Sequence, residues 1–214
     1  MNRIVVFGES DIGIGISKIY PNTLIIPKDK CDIRDVNAIQ LILSEYRPDI
    51  VVNCAGISNV QPIYNSDITK WREELDVNLL GSYLLARESI AHNKNIVMIF
   101  LASVAGMYGK PNHSGYCASK SAVISLTQSL AMEGYKAFSI SPGRVDTKMR
   151  EKDFPGEDKR TRLSTLEVAE IVKNCIEEKY TPGDNIVIRK RGFRKLHRID
   201  SGQPWREYLN VRPV

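Results

Sequence analysis

Tyr116 and Lys120 stand four positions apart in "SGYCASK", residues 114–120, among side chains that are otherwise small. On a helix that spacing sets both groups on one face about one turn apart, and small neighbours let another molecule approach closely. A phenol beside an ammonium is a proton-transfer pair. A free phenol, with a pKa of about 10, is protonated at neutral pH, and a nearby positive charge favours the phenolate. The same spacing also arises on ordinary helices, so the surrounding elements must say whether the pair acts on anything.

Those elements alternate. Residues 3–8, "RIVVFG", and 50–54, "IVVNC", are nearly unbroken apolar runs of the kind found in parallel strands covered on both faces. Further strands are expected at "TLIIP", at 96–101, at 136–141 and at 185–189. Helical patterns separate them. "DVNAIQLILSEYRP" opens on Asp35 as N-cap and stops before Pro48, and others cover roughly 67–92, 115–133 and 164–178. The last begins with "STLE", a capping-box pattern from Ser164 to Glu167. Strand alternating with helix implies crossover connections and an α/β fold, a Rossmann-type doubly wound parallel sheet with helices on both faces. At 214 residues the chain suits one such domain, residues 1–188, followed by a basic tail, 189–214.

In such a sheet the ligand lies beyond the carboxyl ends of the strands, where strand order reverses. The residues expected there are small or carry hydroxyls. The first strand runs into "FGESDIGIGIS", where Gly8, Gly13, Ile14 and Gly15 offer a turn and helix start able to approach a pyrophosphate, or simply a helix-packing turn. "NCAG" places Asn53, Ala55 and Gly56 at another tip, with room for a flat ring. "LASVAG" supplies Ser103, and "SPGRVDT" supplies Gly143, Val145 and Thr147.

Composition narrows the classes. Four separated cysteines without a C-x-x-C pair suggest neither a metal site nor a disulfide framework, and a reducing, cytoplasmic setting is expected. No apolar run reaches membrane-spanning length, and the first residues enter a strand-like segment without a signal-peptide pattern. The net charge of +5 belongs to the tail: from Asn185 to Val214 eight Lys or Arg face two acids, an excess of 8 − 2 = +6. "RKRGFRKLHR", residues 189–198, is either a solvated terminus or an attractor of nucleic acid or a phosphorylated ligand.

Taken in order, these segments resemble the short-chain dehydrogenase/reductase family over roughly residues 3–150. Ser103 stands thirteen residues before Tyr116, as in the family's Ser, Tyr-x-x-x-Lys arrangement. "NCAG" is similar to its "NNAG" segment, "DVNLLGSY" supplies its helix asparagine as Asn78, and "SPGRVDT" resembles its Pro-Gly segment with a following threonine. The resemblance implies Tyr116 as proton donor or acceptor, Ser103 as holder of the substrate oxygen, and Lys120 as partner of both the phenol and the nicotinamide ribose. It also implies Asn78 as the residue that orients a water towards Lys120. Gly143, Val145 and Thr147 would line the nicotinamide end, and Asn53, Ala55 and Gly56 the adenosine side. Asp32, in "CDIRD", matches a family aspartate near the adenine, or it stabilises a turn before Asp35.

Two departures stand out. Phe7 replaces the family's threonine, and four residues, "ESDI", separate Gly8 from Gly13 where three are usual; Glu9 and Asp11 bring negative charge towards a pyrophosphate site. Only "KDKC" lies between the second strand and Asp32, too few for a crossover, so the helix after that strand should be missing and the third strand of the family reduced or absent. This shortening is similar to that of the nucleotide-sugar reductases. Lys28, Asp29 and Lys30 follow the second strand, and two cations around one acid favour NADP(H), with NAD not excluded.

The function implied is an NAD(P)(H)-dependent oxidoreductase, a carbonyl reductase acting on a small polar or carrier-linked carbonyl or alcohol. Residues 149–164, "MREKDFPGEDKRTRLS", form either its lid or an ordinary loop. Pairing of the long helices would give a homodimer or homotetramer. The alternatives are a nucleotide-sugar reductase and a non-catalytic dinucleotide sensor or nucleic-acid-binding protein that uses the tail.

Overall fold

The computed structural model describes residues 2–190 together with Arg198 and Ile199. Its strands are β1 (Ile4–Phe7), β2 (Leu24–Ile26), β3 (Ile50–Asn53), β4 (Val97–Leu101), β5 (Ala137–Pro142) and β6 (Asn185–Ile188), with a short β7 (Arg198–Ile199). They form one sheet in the order β2-β1-β3-β4-β5-β6-β7, parallel except for the antiparallel pairing of β7 on β6. The expected doubly wound sheet is present. Order reverses at β1, whose two edges pair with β2 and β3, so the carboxyl ends of β1 and β3 diverge and open a crevice.

Alternation of side chains along each strand divides the core. Val5, Phe7, Val51, Met98 and Phe100 point to one face, where they meet α2 (Val36–Tyr46), α4 (Gly81–His92) and α5 (Ser114–Met132) through residues such as Leu43, Leu85 and Val123. Ile4, Val6, Val52, Ile99 and Ile140 point to the other, against α1 (Asp11–Ile19) and α7 (Thr165–Ile176) through Ile16, Val168 and Val172. Burial on both faces explains why these strands read as continuous apolar runs.

Several caps fall where the sequence puts them. Asp35 accepts N–H bonds from Asn37 and Ala38 at the start of α2, and Ser164 with Glu167 completes a reciprocal box on α7. The expected helix over 67–92 is real but not uniform. It comprises α3 (Ile68–Leu75), a π-helical turn over Asp76–Leu80, and α4. A π-turn adds a residue to the helical circuit and re-aims the next turn of helix, commonly at functional sites; Asn78 sits inside this one.

The shortened segment after β2 behaves as its length demands. Among the described residues no strand lies outside β2, which is the sheet edge, and Pro27–Asp35 runs directly into α2. Residues 191–197 and 200–214, most of the basic tail, lie outside the described residues, and so does any nucleic-acid role carried by them.

Candidate active site

The crevice at the switch point is a cleft of about 560 Å³, within the range typical of small-molecule sites. Gly8, Ile14, Lys28, Asp32, Ala55, Gly56, Ser103, Tyr116, Lys120, Gly143, Val145 and Thr147 all line it. Four sequence-expected residues do not: Gly13, Gly15, Asn53 and Asn78 stand behind its wall.

Ser10 caps α1 by accepting the Gly13 N–H at 3.0 Å, so the helix begins at Asp11 and both later glycines lie inside it. A Cβ on Gly15 would lie 2.8 Å from the Thr165 carbonyl oxygen, so this glycine permits close contact between α1 and α7. Gly13 packs towards Val6. Gly8 lines the cleft itself. Its φ is +95°, and a Cβ there would lie 2.6 Å from the Ala55 nitrogen, where the β1 turn passes the tip of β3. The first turn of α1, whose N–H groups lack intrahelical acceptors, borders the cleft through Asp11 and Ile12. Asp11 does not simply repel an anion: its carboxylate accepts the Lys148 N–H at 2.7 Å, capping α6 (Lys148–Asp153) from 137 residues away.

Asn53 and Asn78 shape the wall. The Asn53 amide donates to Ser82 Oγ at 3.0 Å and accepts the Ala55 N–H at 3.0 Å. Asn78 is fully buried; it accepts the Ile57 N–H at 2.8 Å, and its amide donates to the Ile57 carbonyl and to Ser119 Oγ, each at 3.0 Å. With its amide engaged on protein partners, Asn78 fixes the strand-tip loop beside Gly56. A Cβ on Gly56 would fall 3.2 Å from Asn78 Oδ1 and 3.3 Å from Lys120 Nζ.

Tyr116 and Lys120 share the cleft-facing side of α5, with Lys120 Nζ 5.7 Å from the centre of the Tyr116 ring. Lys120 is buried and donates to the Leu101 carbonyl at 2.7 Å. Burial drives its pKa down to about 8, opposed by Cys54. Burial likewise pushes Tyr116 up to about 12; the hydrogen-bonding Ser103 side chain opposes this, while Asp153, Glu74 and Cys117 add to it. The expected lowering of the phenol by Lys120 is not what sets it: desolvation, which disfavours whichever form carries charge, dominates both groups, and Ser103 is what opposes it at Tyr116. Tyr116 remains partly open to the cleft, so solvent there relieves some of the penalty.

Ser103 both borders the cleft and caps a turn, accepting the Ala105 N–H at 3.1 Å while its hydroxyl bonds Tyr116. Thr147 caps α6 through the Arg150 N–H at 3.1 Å. At the far end Asp32 accepts three bonds from Arg34, which hold it ionised with a pKa of about 2, so the turn-stabilising role is real although the residue also faces the cleft. Lys28, not Asp29 or Lys30, is the β2-end charge that borders the cleft.

Several residues escaped sequence reasoning. His113, with Nδ1 2.7 Å from the Pro111 carbonyl and its ring stacked on Phe154 at 5.6 Å, walls the cleft. Glu74 is buried one helical turn before Asn78, accepts the Asn59 N–H at 2.7 Å, and is raised in pKa chiefly by burial. Lys110, Arg150 and Asp153 border the same end. Arg150 and Asp153 belong to the segment 149–164 read as a lid or loop, whereas no local pattern marks His113, Lys110 or Glu74, and Glu74 stands behind the cleft wall.

These features define a doubly wound α/β domain with a tyrosine–lysine–serine cluster in a cleft at its switch point. Residues 28–158 match the short chain dehydrogenase family, and the chain belongs to that family. It is 29% identical to the 3-oxoacyl-[acyl-carrier-protein] reductase FabG of Thermotoga maritima over 157 residues, 70% of this chain and 62% of that protein. It is 28% identical to the human (3R)-3-hydroxyacyl-CoA dehydrogenase over 58% of this chain and 52% of that one. The matched regions therefore span between half and two thirds of these relatives. Among solved structures, 4-hydroxyisoleucine dehydrogenase complexed with NADH superposes with a TM-score of 0.76 at 25% identity, covering 88% of this chain and 97% of that one. ElxO with NADP bound superposes at 0.72 and 20% identity, covering 85% and 94%, a likeness of fold.

Proposed function

We propose that the chain is an NADP(H)-preferring carbonyl reductase, with Tyr116 as the general acid towards a small polar or carrier-linked ketone. One observation carries the reading: a phenol, a serine hydroxyl and a buried ammonium converge in a cleft lined by small residues at the switch point. A bound nicotinamide would supply hydride to a carbonyl carbon there. Ser103, which bonds Tyr116, can turn its proton to the carbonyl oxygen and hold it beside Tyr116. Tyr116 then gives its proton to the developing alkoxide, leaving a phenolate. With a pKa about one unit above neutral, Lys120 is mostly protonated at pH 7; beyond the Leu101 bond it retains two protons for a ribose hydroxyl and for the charge left on Tyr116.

The cleft suits a dinucleotide. Gly8 and Gly56 mark places where a side chain would collide with the wall, the first turn of α1 can receive a pyrophosphate, and Ala55, Gly143, Val145 and Thr147 leave room for flat rings. Lys28 supports a 2′-phosphate, while the neighbours with NADP and with NADH show both cofactors on this fold. An exposed apolar groove lined by Leu75, Leu79, Leu80, Tyr83 and Leu126 on α3, the π-turn, α4 and α5 supports assembly as a homodimer or homotetramer through these helices. Four free cysteines, and the absence among the described residues of any helix long and apolar enough to cross a membrane, agree with a cytoplasmic setting.

The test is a panel of polar ketones with NADPH and NADH, followed by nicotinamide absorbance. Oxidation of NADPH dependent on ketone is expected. A protein that binds NADPH yet turns over no carbonyl compound would refute the reading.

A further inference from the structure

Beyond Tyr116 the cleft ends on a wall whose charges do not balance. Arg162 is buried and bonds Asp146 at 3.0 Å, Glu151 at 2.6 Å and Glu157 at 3.3 Å. Glu157 also holds Arg150, through Nε at 2.8 Å, and Arg144 at 3.2 Å. Three carboxylates thus serve three guanidiniums. Two further cations stand beside this network without a carboxylate. Among the described residues Lys110, which borders the cleft, has no hydrogen-bond or ion-pair partner for its ammonium. Among the described residues Arg189 reaches only Tyr108, 5.5 Å from the ring centre and 3.4 Å from its hydroxyl, and packs against Gly143 of the cleft wall.

The carboxylate of Asp153 also borders this end and acts on Tyr116 and Glu74, but among the described residues it forms no ion pair with Lys110. His113, with Nδ1 against the Pro111 carbonyl, is no anionic partner for Lys110. A half-buried, unpaired cation among other cations costs stability unless an anion completes the set. In agreement, burial and then the neighbouring Arg150 lower the proton affinity of Lys110, with Arg144 and Arg189 adding to it and Cys117 opposing.

We propose that Lys110, backed by Arg189, is a subsite for an anionic group, a carboxylate or a phosphate, carried by the substrate whose carbonyl lies at Ser103 and Tyr116. The anion site stands on its own geometry; its assignment to a substrate rests on the carbonyl-reductase reading. Recognition by a lone ammonium in a partly desolvated wall selects for charge more than for shape.

Two measurements test this. In the first, inorganic phosphate and acetate are titrated calorimetrically into the wild type, Lys110→Ala and Lys110→Met, the last keeping the apolar stem should Ala disturb the fold. Binding weakened tenfold or more in both variants is expected; phosphate-only or acetate-only binding assigns the anion. In the second, keto compounds bearing a carboxylate, a phosphate or a neutral amide are compared. The ratio of kcat/KM for the anionic compound over the amide should fall at least tenfold in the variants. Anion binding lost in the variants with no carbonyl turnover in any protein leaves the subsite standing and removes the reductase reading. Turnover with unchanged ratios, or equal anion affinity in wild type and variants, overturns the subsite.

Discussion

Replacing Lys120 by Met removes a buried ammonium while keeping much of its stem, and its effect on stability has a definite pH dependence. The folded pKa of about 8 lies below the ordinary 10.5. The unfolded chain therefore holds this proton more tightly, and the charge costs the folded state about 3 kcal/mol at pH 7, at about 1.4 kcal/mol per unit. That cost is fully present below pH 8 and is relieved as pH climbs from about 8 to 10.5. The stability of the wild type relative to Lys120→Met should accordingly rise by roughly 2–3 kcal/mol across that window. The buried thiols Cys31 and Cys175 and the phenol of Tyr116 act oppositely: their folded pKa values are raised, so both proteins lose stability as pH rises past the unfolded values. These contributions cancel in the difference. Cys54 does not cancel, because it raises the proton affinity of Lys120, so both proteins should carry Cys54→Ala. Urea unfolding followed by tryptophan fluorescence, from Trp71 and Trp205, at half-unit pH steps gives the two curves. If they run parallel from about pH 7 to 10.5, the ammonium is not desolvated and the account of Lys120 is wrong.

Other substitutions separate cofactor recognition from packing. Lys28→Ala should weaken NADPH binding about tenfold, the value of one charge-assisted contact, and leave NADH affinity nearly unchanged; equal losses in fluorescence titrations would remove Lys28 from phosphate recognition. Gly15→Ala forces a Cβ to within 2.8 Å of the Thr165 carbonyl and should cost about 1–3 kcal/mol in urea unfolding with little change in nucleotide affinity. Loss of nucleotide binding at full stability would instead return Gly15 to the cofactor site.

The layered sheet, the Asp35 and Ser164 caps and the missing strand outside β2 were legible because they follow from apolar runs, local capping chemistry and chain length. The glycines show where local reading stops. A glycine signals that something comes close, but not what, and for Gly15 the visitor is α7. The cap at Ser10, which starts α1 at Asp11 and places Gly13 and Gly15 inside the helix, follows from a serine within "ESDI" that the glycine pattern hid. The π-turn around Asn78 is invisible to a periodicity that sees one helix from 67 to 92. The Asp11 bond to Lys148 and the unpaired Lys110 depend on elements far apart in sequence. The tyrosine, lysine and serine were found because strand tips and one helix face place them without such long-range information. Their proton affinities were not found, because burial rather than their mutual charge sets them.

The most direct test is Tyr116→Phe, assayed for ketone-dependent NADPH oxidation alongside NADPH affinity by fluorescence titration. Loss of the acidic hydroxyl alone should lower kcat by about 100-fold or more while affinity stays nearly intact. Undiminished turnover in this variant would contradict the assignment of the reacting proton to Tyr116.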